Sequence, residues 1–154
     1  MNEKIKVVGI LQNAWSTYWR EHWPRNFWLE ALKRSRTGQR LKHMDHEKID
    51  MWYDEITPKI ADNPRTVLPA DLNYMRGYLN EQQPKYIITF GMPAMKAMVA
   101  LRNEYKHPVL CVPHPTYRVV TNDLFIQARE HLVKGFDGWH QYKQGKEGVI
   151  ISKI

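Results

Sequence analysis

Short apolar runs alternate along this chain with longer segments in which apolar residues recur at helical spacing. Residues 5–11, 86–90 and 109–112 are almost continuous in apolar and β-branched residues, as expected of strands that are buried on both faces. Apolar residues recur at the helical period in four segments. One spans about 24–34, and the others begin at Pro69, at Pro93 and at Thr121 or Asn122. Strands that alternate with helices predict an α/β fold with a mainly parallel sheet.

Two segments fit more than one structure. Residues 49–56 are compatible with a helix or a strand. Residues 137–148 are polar and glycine-containing, and Val149-Ile150-Ile151 follows them. This end of the chain, residues 137–154, is compatible with an edge strand or with a loosely attached tail. No linker is long enough to separate two domains. We therefore expect residues 1–154 to form a single domain, a three-layer α/β/α sandwich around a central, mainly parallel sheet of about four strands.

The composition limits which classes of binding partner and which cellular location we expect. A net charge of +7 favours polyanions, with nucleic acid ahead of an acidic membrane surface. The single cysteine, Cys111, leaves no intrachain disulfide. His43 and His46 have metal-like spacing but are accompanied by no cysteine, only by the acids Asp45, Glu47 and Asp50, so we expect no metal and no cofactor. No apolar run is long enough to span a membrane and no signal-peptide region is present, which predicts a cytoplasmic monomer without a membrane partner.

The segment after the 109–112 run is built around a histidine. In Pro113-His114-Pro115 the two prolines fix their own φ angles and remove amide donors, so they hold the backbone around His114 in one extended shape. The imidazole is then presented rigidly. Tyr117 and Arg118 lie just beyond it. A stiff surface loop and a functional site both fit this pattern.

Two other predicted strands also end in candidate loops. Gln12-Asn13-Ala14-Trp15 leaves the first strand at the edge where open α/β sheets bind ligands. Phe90-Gly91 ends another strand, and the helix that follows would direct free amides at an anion.

Aromatic and basic residues lie near these loops in the sequence. Trp15, Tyr18, Trp19 and Trp23 form a dense group, which could be a packing plug or a π-face wall for a planar ligand. Arg36 and Arg40 belong to a basic cluster. Their guanidinium groups suit phosphate, although a solvated helix end would also carry cations.

Three segments together resemble the uracil-DNA glycosylase superfamily. They are Val8-Gly9-Ile10-Leu11-Gln12-Asn13-Ala14-Trp15, then Gln83-Pro84-Lys85-Tyr86-Ile87-Ile88-Thr89-Phe90-Gly91, and His114-Pro115-Thr116-Tyr117-Arg118. The third is similar to the His-Pro-Ser motif of the family, with Thr116 in place of serine. The order of the segments is that of the family, and the resemblance spans most of residues 5–135.

The resemblance implies a DNA glycosylase that acts on single- or double-stranded DNA and removes uracil or another modified base. Asn13 would position water, and His114 would stabilise the negative charge on the departing base. The implied base contacts are Gln12, Trp15 and Tyr18, and the implied DNA contacts are Arg36, Arg40, Gly91, Met92, Tyr117 and Arg118.

Two positions differ from the family pattern. Ala14 stands where the first motif has a proline or an acidic residue, and Pro58 stands where an asparagine would read the base edge. These differences keep a second interpretation open, a binding module for nucleic acid or protein on the same fold without catalysis. A hydrolase or transferase acting on free nucleosides or nucleotides is a third.

Overall fold

The computed structural model describes residues 3–15, 35–63 and 65–154. The strands, in chain order, are β1 (Ile5–Leu11), β2 (Ala14–Trp15), β3 (Ile49–Glu55), β4 (Ile60–Ala61), β5 (Tyr86–Phe90), β6 (Val109–Val112), β7 (Trp139–Gly145) and β8 (Gly148–Lys153). The helices are α1 (Arg36–Leu41), continued by a 3₁₀ turn (Lys42–Met44), α2 (Leu72–Gln82), α3 (Met92–Ala100) and α4 (Asn122–Lys134). The predicted helix from about 24 to 34 lies outside the described residues.

Six of these strands form an open sheet in the order β3-β1-β5-β6-β7-β8. All neighbouring pairs are parallel except β7 and β8, which are antiparallel. The predicted α/β class and mainly parallel sheet are confirmed, whereas the expected count of about four strands is wrong. The additional strands come from residues 49–55, which form β3, and from the last part of the chain. Strands β2 and β4 pair with each other outside this sheet.

Both faces of the central sheet carry a hydrophobic core, because successive side chains of a strand point to opposite faces. Leu11, Phe90 and Val112 pack in one cluster with residues of α1, the 3₁₀ turn and α4. Ile10 and Ile87 pack in another cluster with residues of α2 and α3. The five side chains of β5 are all buried, which explains why its sequence is a continuous apolar run rather than an alternating one.

The longer helices begin in different ways. Helix α2 begins at Leu72 rather than at Pro69, because the Asp71 side chain accepts a hydrogen bond from the Tyr74 amide. Gly91 precedes α3 and Thr121 precedes α4, as predicted. The Thr121 hydroxyl does not cap α4 but donates to Oε1 of Gln144 on β7.

Residues 139–153 form a hairpin of β7 and β8 at one side of the sheet. Of the two structures that fitted this segment, the edge strand is the one observed. Only Trp139 and Tyr142 are buried along β7, so this strand lacks the apolar run that marks the central strands. None of the helices in the described part of the chain is long and apolar enough to cross a membrane.

Candidate functional site

Three strand-end loops meet at one edge of the sheet. Strand β5 lies between β1 and β6, and the three are parallel, so their carboxyl ends share an edge. Ile10 is paired with Thr89, and Thr89 is paired with Cys111. Asn13 lies two residues beyond the end of β1, and His114 lies two residues beyond the end of β6. The Gly91 turn follows β5, which lies between these two strands.

His114 is held in a tight turn directly after β6. Its carbonyl accepts a hydrogen bond from the Tyr117 amide at 3.0 Å. Nδ1 of the ring accepts from the Thr116 amide at 3.2 Å and lies 2.7 Å from the Thr116 hydroxyl oxygen. Since Nδ1 is an acceptor, the neutral ring carries its proton on Nε2. No residue of the described chain is hydrogen-bonded to Nε2.

Burial lowers the pKa of His114 to about 4. The half-buried imidazole is therefore neutral at physiological pH, because its charged form is poorly solvated. A neutral Nε2–H is a hydrogen-bond donor that carries no net charge. Such a donor can stabilise an anion that develops during a reaction without first binding that anion as an ion pair.

Gly91 packs directly against this histidine. A Cβ on Gly91 would lie 3.2 Å from the His114 Cβ, and the glycine has φ +92°, a region that other residues rarely adopt. The Gly91 amide donates to the Val112 carbonyl at 2.8 Å. Met92 begins α3 at this point with 53% of its surface exposed. The structure thus brings together the predicted positions Gly91, Met92 and His114.

Arg40 holds the loop that carries His114. One guanidinium nitrogen donates to the Pro115 carbonyl at 3.1 Å and to the Tyr117 carbonyl at 3.4 Å, and the other donates to the Val120 carbonyl. The guanidinium also lies 5.2 Å from the centroid of the Phe125 ring. Arg40 was predicted to contact DNA, but its side chain makes intramolecular contacts that position the loop.

The tip of this loop is exposed. Tyr117 and Val119 expose 61% and 64% of their surfaces, and Arg118 is exposed as well. Arg36, on α1, is also exposed. These side chains are available to a partner, in contrast to that of Arg40.

Asn13 lies at the same edge but makes different contacts. It is 7% exposed. Its Nδ2 donates to the Thr66 carbonyl at 3.1 Å, and its Oδ1 accepts from the Leu68 amide at 2.8 Å. The amide group thus fastens residues 66–68 to the end of β1, which is a structural task. Sequence reasoning missed this role because the partners are 53 and 55 residues away.

The neighbouring predicted positions have less defined surroundings. Gln12 is half-buried, and its carbonyl accepts from the Ile56 amide at 2.9 Å. Trp15 pairs through its backbone with Ala61, whereas its side chain and the whole of Tyr18 lie outside the described residues. Pro58 is exposed, just beyond β3.

Glu55 is a residue that the sequence analysis did not identify. It ends β3 opposite Leu11 and is 8% exposed, the only buried acid in the described residues. A carboxylate at the carboxyl edge of the sheet can accept a proton from water. An acid directly after an apolar and aromatic run was the available signal, but residues 49–56 also fitted a helix, which obscured it.

A cavity of about 940 Å³ lies elsewhere, along β3 and α2. Its walls include Trp52, Tyr74 and Asp50 but none of the predicted site residues. Within the described residues, no group of three or more His, Cys, Asp or Glu side chains is arranged to hold a metal ion.

Comparisons with protein-family models, with curated proteins and with solved structures found no match for this chain.

Proposed function

We propose that this protein is a DNA glycosylase, which takes a base out of the stack and hydrolyses its N-glycosidic bond. The observation that carries the proposal is the neutral His114 ring, which presents Nε2–H beside Gly91 at the carboxyl edge of the sheet. The substrate we propose is uracil or another modified base. A three-layer α/β/α arrangement is part of the proposal, supported by the two clusters that pack on alternate residues of the central strands.

His114 would act on the leaving group. When the glycosidic bond breaks, the electron pair stays with the base, and a carbonyl oxygen of the base gains negative charge. A hydrogen bond from Nε2 to that oxygen stabilises the transition state more than the ground state. Because the ring is neutral, it has no full positive charge to bind the substrate in its ground state.

The exposed groups around His114 suit a DNA backbone. The first turn of α3 has the positive end of its helix dipole at the same edge, which supports a phosphate contact at Met92. The Gly91 amide is already bonded to the Val112 carbonyl, so Gly91 would contribute close approach of the backbone rather than a hydrogen bond. Tyr117 and Arg118 extend from the loop tip, and Arg36 adds an exposed cation on α1. The net charge of +7 favours the approach of a polyanion.

The attacking water needs a residue that orients it. Asn13 could donate or accept hydrogen bonds but could not remove a proton at neutral pH, and both ends of its amide already hold residues 66–68. Glu55 is the alternative we propose at this edge, because a carboxylate can act as a general base. Its contribution is tested with Glu55→Gln, which keeps the shape and removes the charge.

A non-catalytic binding module is a second candidate. The contacts of Asn13 favour the binding module. Both polar atoms of its side-chain amide are hydrogen-bonded to residues 66–68, and Asn13 is the residue that the resemblance assigns to positioning water. In that case His114 and the exposed loop tip would contact nucleic acid without bond cleavage.

The two candidates are separated by an assay on labelled oligonucleotides. Single- and double-stranded substrates carrying uracil, hypoxanthine, xanthine or hydroxymethyluracil are incubated with the protein, and alkali then cleaves any abasic site. We expect strand breaks on at least one modified base, lost in His114→Ala. Salt-sensitive binding without breaks on every base would exclude the glycosylase and support the binding module. Release of base from free nucleosides, without DNA affinity, would indicate a nucleoside hydrolase.

A further inference from the structure

Backbone groups along the outer edge of β8 have no hydrogen-bond partner among the described residues. The Ile154 amide donates to the Trp139 carbonyl at 2.9 Å. This bond shows which residues of β8 form hydrogen-bonded pairs with β7 in the antiparallel ladder and which do not. In such a ladder alternate residues bond to the neighbouring strand, so Ser152 and Ile150 face β7. Val149, Ile151 and Lys153 therefore direct their N–H and C=O groups away from the sheet. In the described chain no other residue is hydrogen-bonded to them.

The side chains of this edge are also apolar and exposed. Ile150, Ile151 and Ile154 expose 56%, 49% and 39% of their surfaces, and they point to both faces of the strand. Natural edge strands are usually protected by proline, by several charges or by a bulge. Here β8 has no proline, and Lys153 is its only charge. The edge therefore has the properties of a strand that pairs with another strand.

We propose that β8 pairs antiparallel with β8 of a second copy of this chain, so that the two sheets become continuous. The outward-facing residues of one copy must lie opposite the outward-facing residues of the other. The allowed registers therefore differ from one another by steps of two residues along the strand. When the two-fold axis lies at Ile150, Val149 is opposite Ile151 of the second copy. The contact is isologous and closes after two subunits.

Charge complementarity selects this register. With the axis at Ile150, Glu147 in the hairpin turn lies opposite Lys153 of the second copy, and the pair occurs twice. An axis at Ile151 would instead place Lys153 opposite Val149, and an axis at Val149 would place Lys153 opposite Gly145. Of these three registers, only the one with the axis at Ile150 places Glu147 of one copy opposite Lys153 of the other. A dimer of this kind would replace the monomer expected from the sequence.

The test is sedimentation velocity of the full chain from low to high micromolar concentration. We expect a reversible monomer–dimer equilibrium, because a single strand pair buries less surface than a standard interface. Glu147→Lys and Lys153→Glu should each weaken dimerisation about tenfold, because each change sets two pairs of like charges against each other. The double variant Glu147→Lys/Lys153→Glu should restore the wild-type dissociation constant to within about threefold.

The charge reversals also exclude an effect of net charge. Glu147→Lys raises the net charge of +7 by two and Lys153→Glu lowers it by two. If general repulsion controlled association, Lys153→Glu would strengthen it. The matched control Lys48→Glu makes the same charge change next to β3, at the opposite side of the sheet, and should not weaken the dimer.

Ile151→Pro provides a second test that leaves the fold intact. The Ile151 amide faces outward, so a proline removes a bond of the proposed dimer without removing one from the β7–β8 ladder. We expect a monomer with an unchanged circular dichroism spectrum. A wild-type protein that stays monomeric at all concentrations would overturn the proposal. So would a double charge variant that fails to recover dimerisation.

Discussion

His114 and Asn13 both follow strands that end at the carboxyl edge of the sheet, but their polar atoms are used in different ways. The ring of His114 is bonded through Nδ1 to its own loop, and no described residue is hydrogen-bonded to its Nε2. The amide of Asn13 is bonded through both of its polar atoms, by the Thr66 carbonyl and the Leu68 amide. Asn13 is therefore part of the framework, whereas Nε2 of His114 has no hydrogen-bond partner in the described chain.

The difference shows that position at a strand end does not define a catalytic residue. A polar side chain at this edge has to satisfy buried backbone groups nearby before it can serve a ligand. In the His114 loop, the Thr116 amide bonds to Nδ1 of the ring and Arg40 bonds to the Pro115 carbonyl. At Asn13 the side chain itself supplies the hydrogen bonds that the backbone of residues 66–68 needs. Substitutions at the two positions should consequently affect different measurements.

The largest expected effect is on catalysis by His114→Ala. If the ring donates to the departing base, the single-turnover rate should fall about 100- to 1,000-fold, with little change in DNA affinity. His46→Ala is the matched control, because Nδ1 of His46 also accepts an amide two residues ahead, that of Lys48. Equal losses in the two variants would mean that the histidine turn is only structural.

Asn13→Ala should mainly lower stability. Removal of the amide group leaves the Thr66 carbonyl and the Leu68 amide without their partner, which we expect to lower the free energy of unfolding by about 2–3 kcal/mol. Urea titration followed by tryptophan fluorescence measures this. A large loss of activity in a variant of unchanged stability would instead show that Asn13 handles water.

Arg40→Gln should loosen the His114 loop at a smaller cost to stability, about 1–2 kcal/mol, because the bonds to the loop carbonyls are lost while the helix is kept. Arg36→Gln on the same helix is exposed and serves as the control, for which we expect no change. Hydrogen exchange of the Tyr117 and Val120 amides should accelerate in the first variant only. Equal exchange in both would contradict the positioning role of Arg40.

The smallest expected effect is a pH dependence of stability at His114. Its pKa is lowered to about 4 in the folded protein, so the unfolded chain binds the proton more tightly. The stabilising contribution is present above the ordinary histidine pKa near 6.5 and is lost as the pH falls toward 4. After allowance for solvent screening we expect about 1 kcal/mol between pH 7 and pH 4.5.

The measurement compares urea unfolding of wild type and His114→Gln at both pH values, so that contributions from other groups cancel. The loss between pH 7 and pH 4.5 should be smaller in the variant. In Asn13→Ala the loss should equal that of wild type, since the amide does not titrate. Equal pH dependence in all three proteins would show that His114 has an ordinary pKa.

The local features of the fold could be predicted from the sequence. Residues 5–11, 86–90 and 109–112 form strands because β-branched and aromatic runs of that length suit a sheet buried on both faces. Gly91 ends β5 as predicted, and its positive φ gives the physical reason. Strand β3 was ambiguous because Trp52, a large aromatic residue, has 45% of its surface exposed, which obscures the alternation of apolar and polar residues.

The contacts that define the candidate site could be predicted only in part. The histidine turn is local, so the two prolines and Thr116 could indicate it. The roles of Asn13 and Arg40 depend on carbonyls and amides that are 53 to 80 residues away in the chain. Such partners are set by how the loops pack, and no spacing rule in the sequence encodes them.

The place of β1 in the sheet has a consequence for synthesis on the ribosome. This strand is paired on both sides, with β3 and with β5, although it precedes both in the chain. Within the described residues, Val7, Val8, Ile10 and Leu11 belong to a strand that pairs with β3, which ends at residue 55, and with β5, which ends at residue 90. The pairing of β1 on both sides is therefore complete only after more than half of the 154 residues have been synthesised. Such dependence on long-range contacts slows folding.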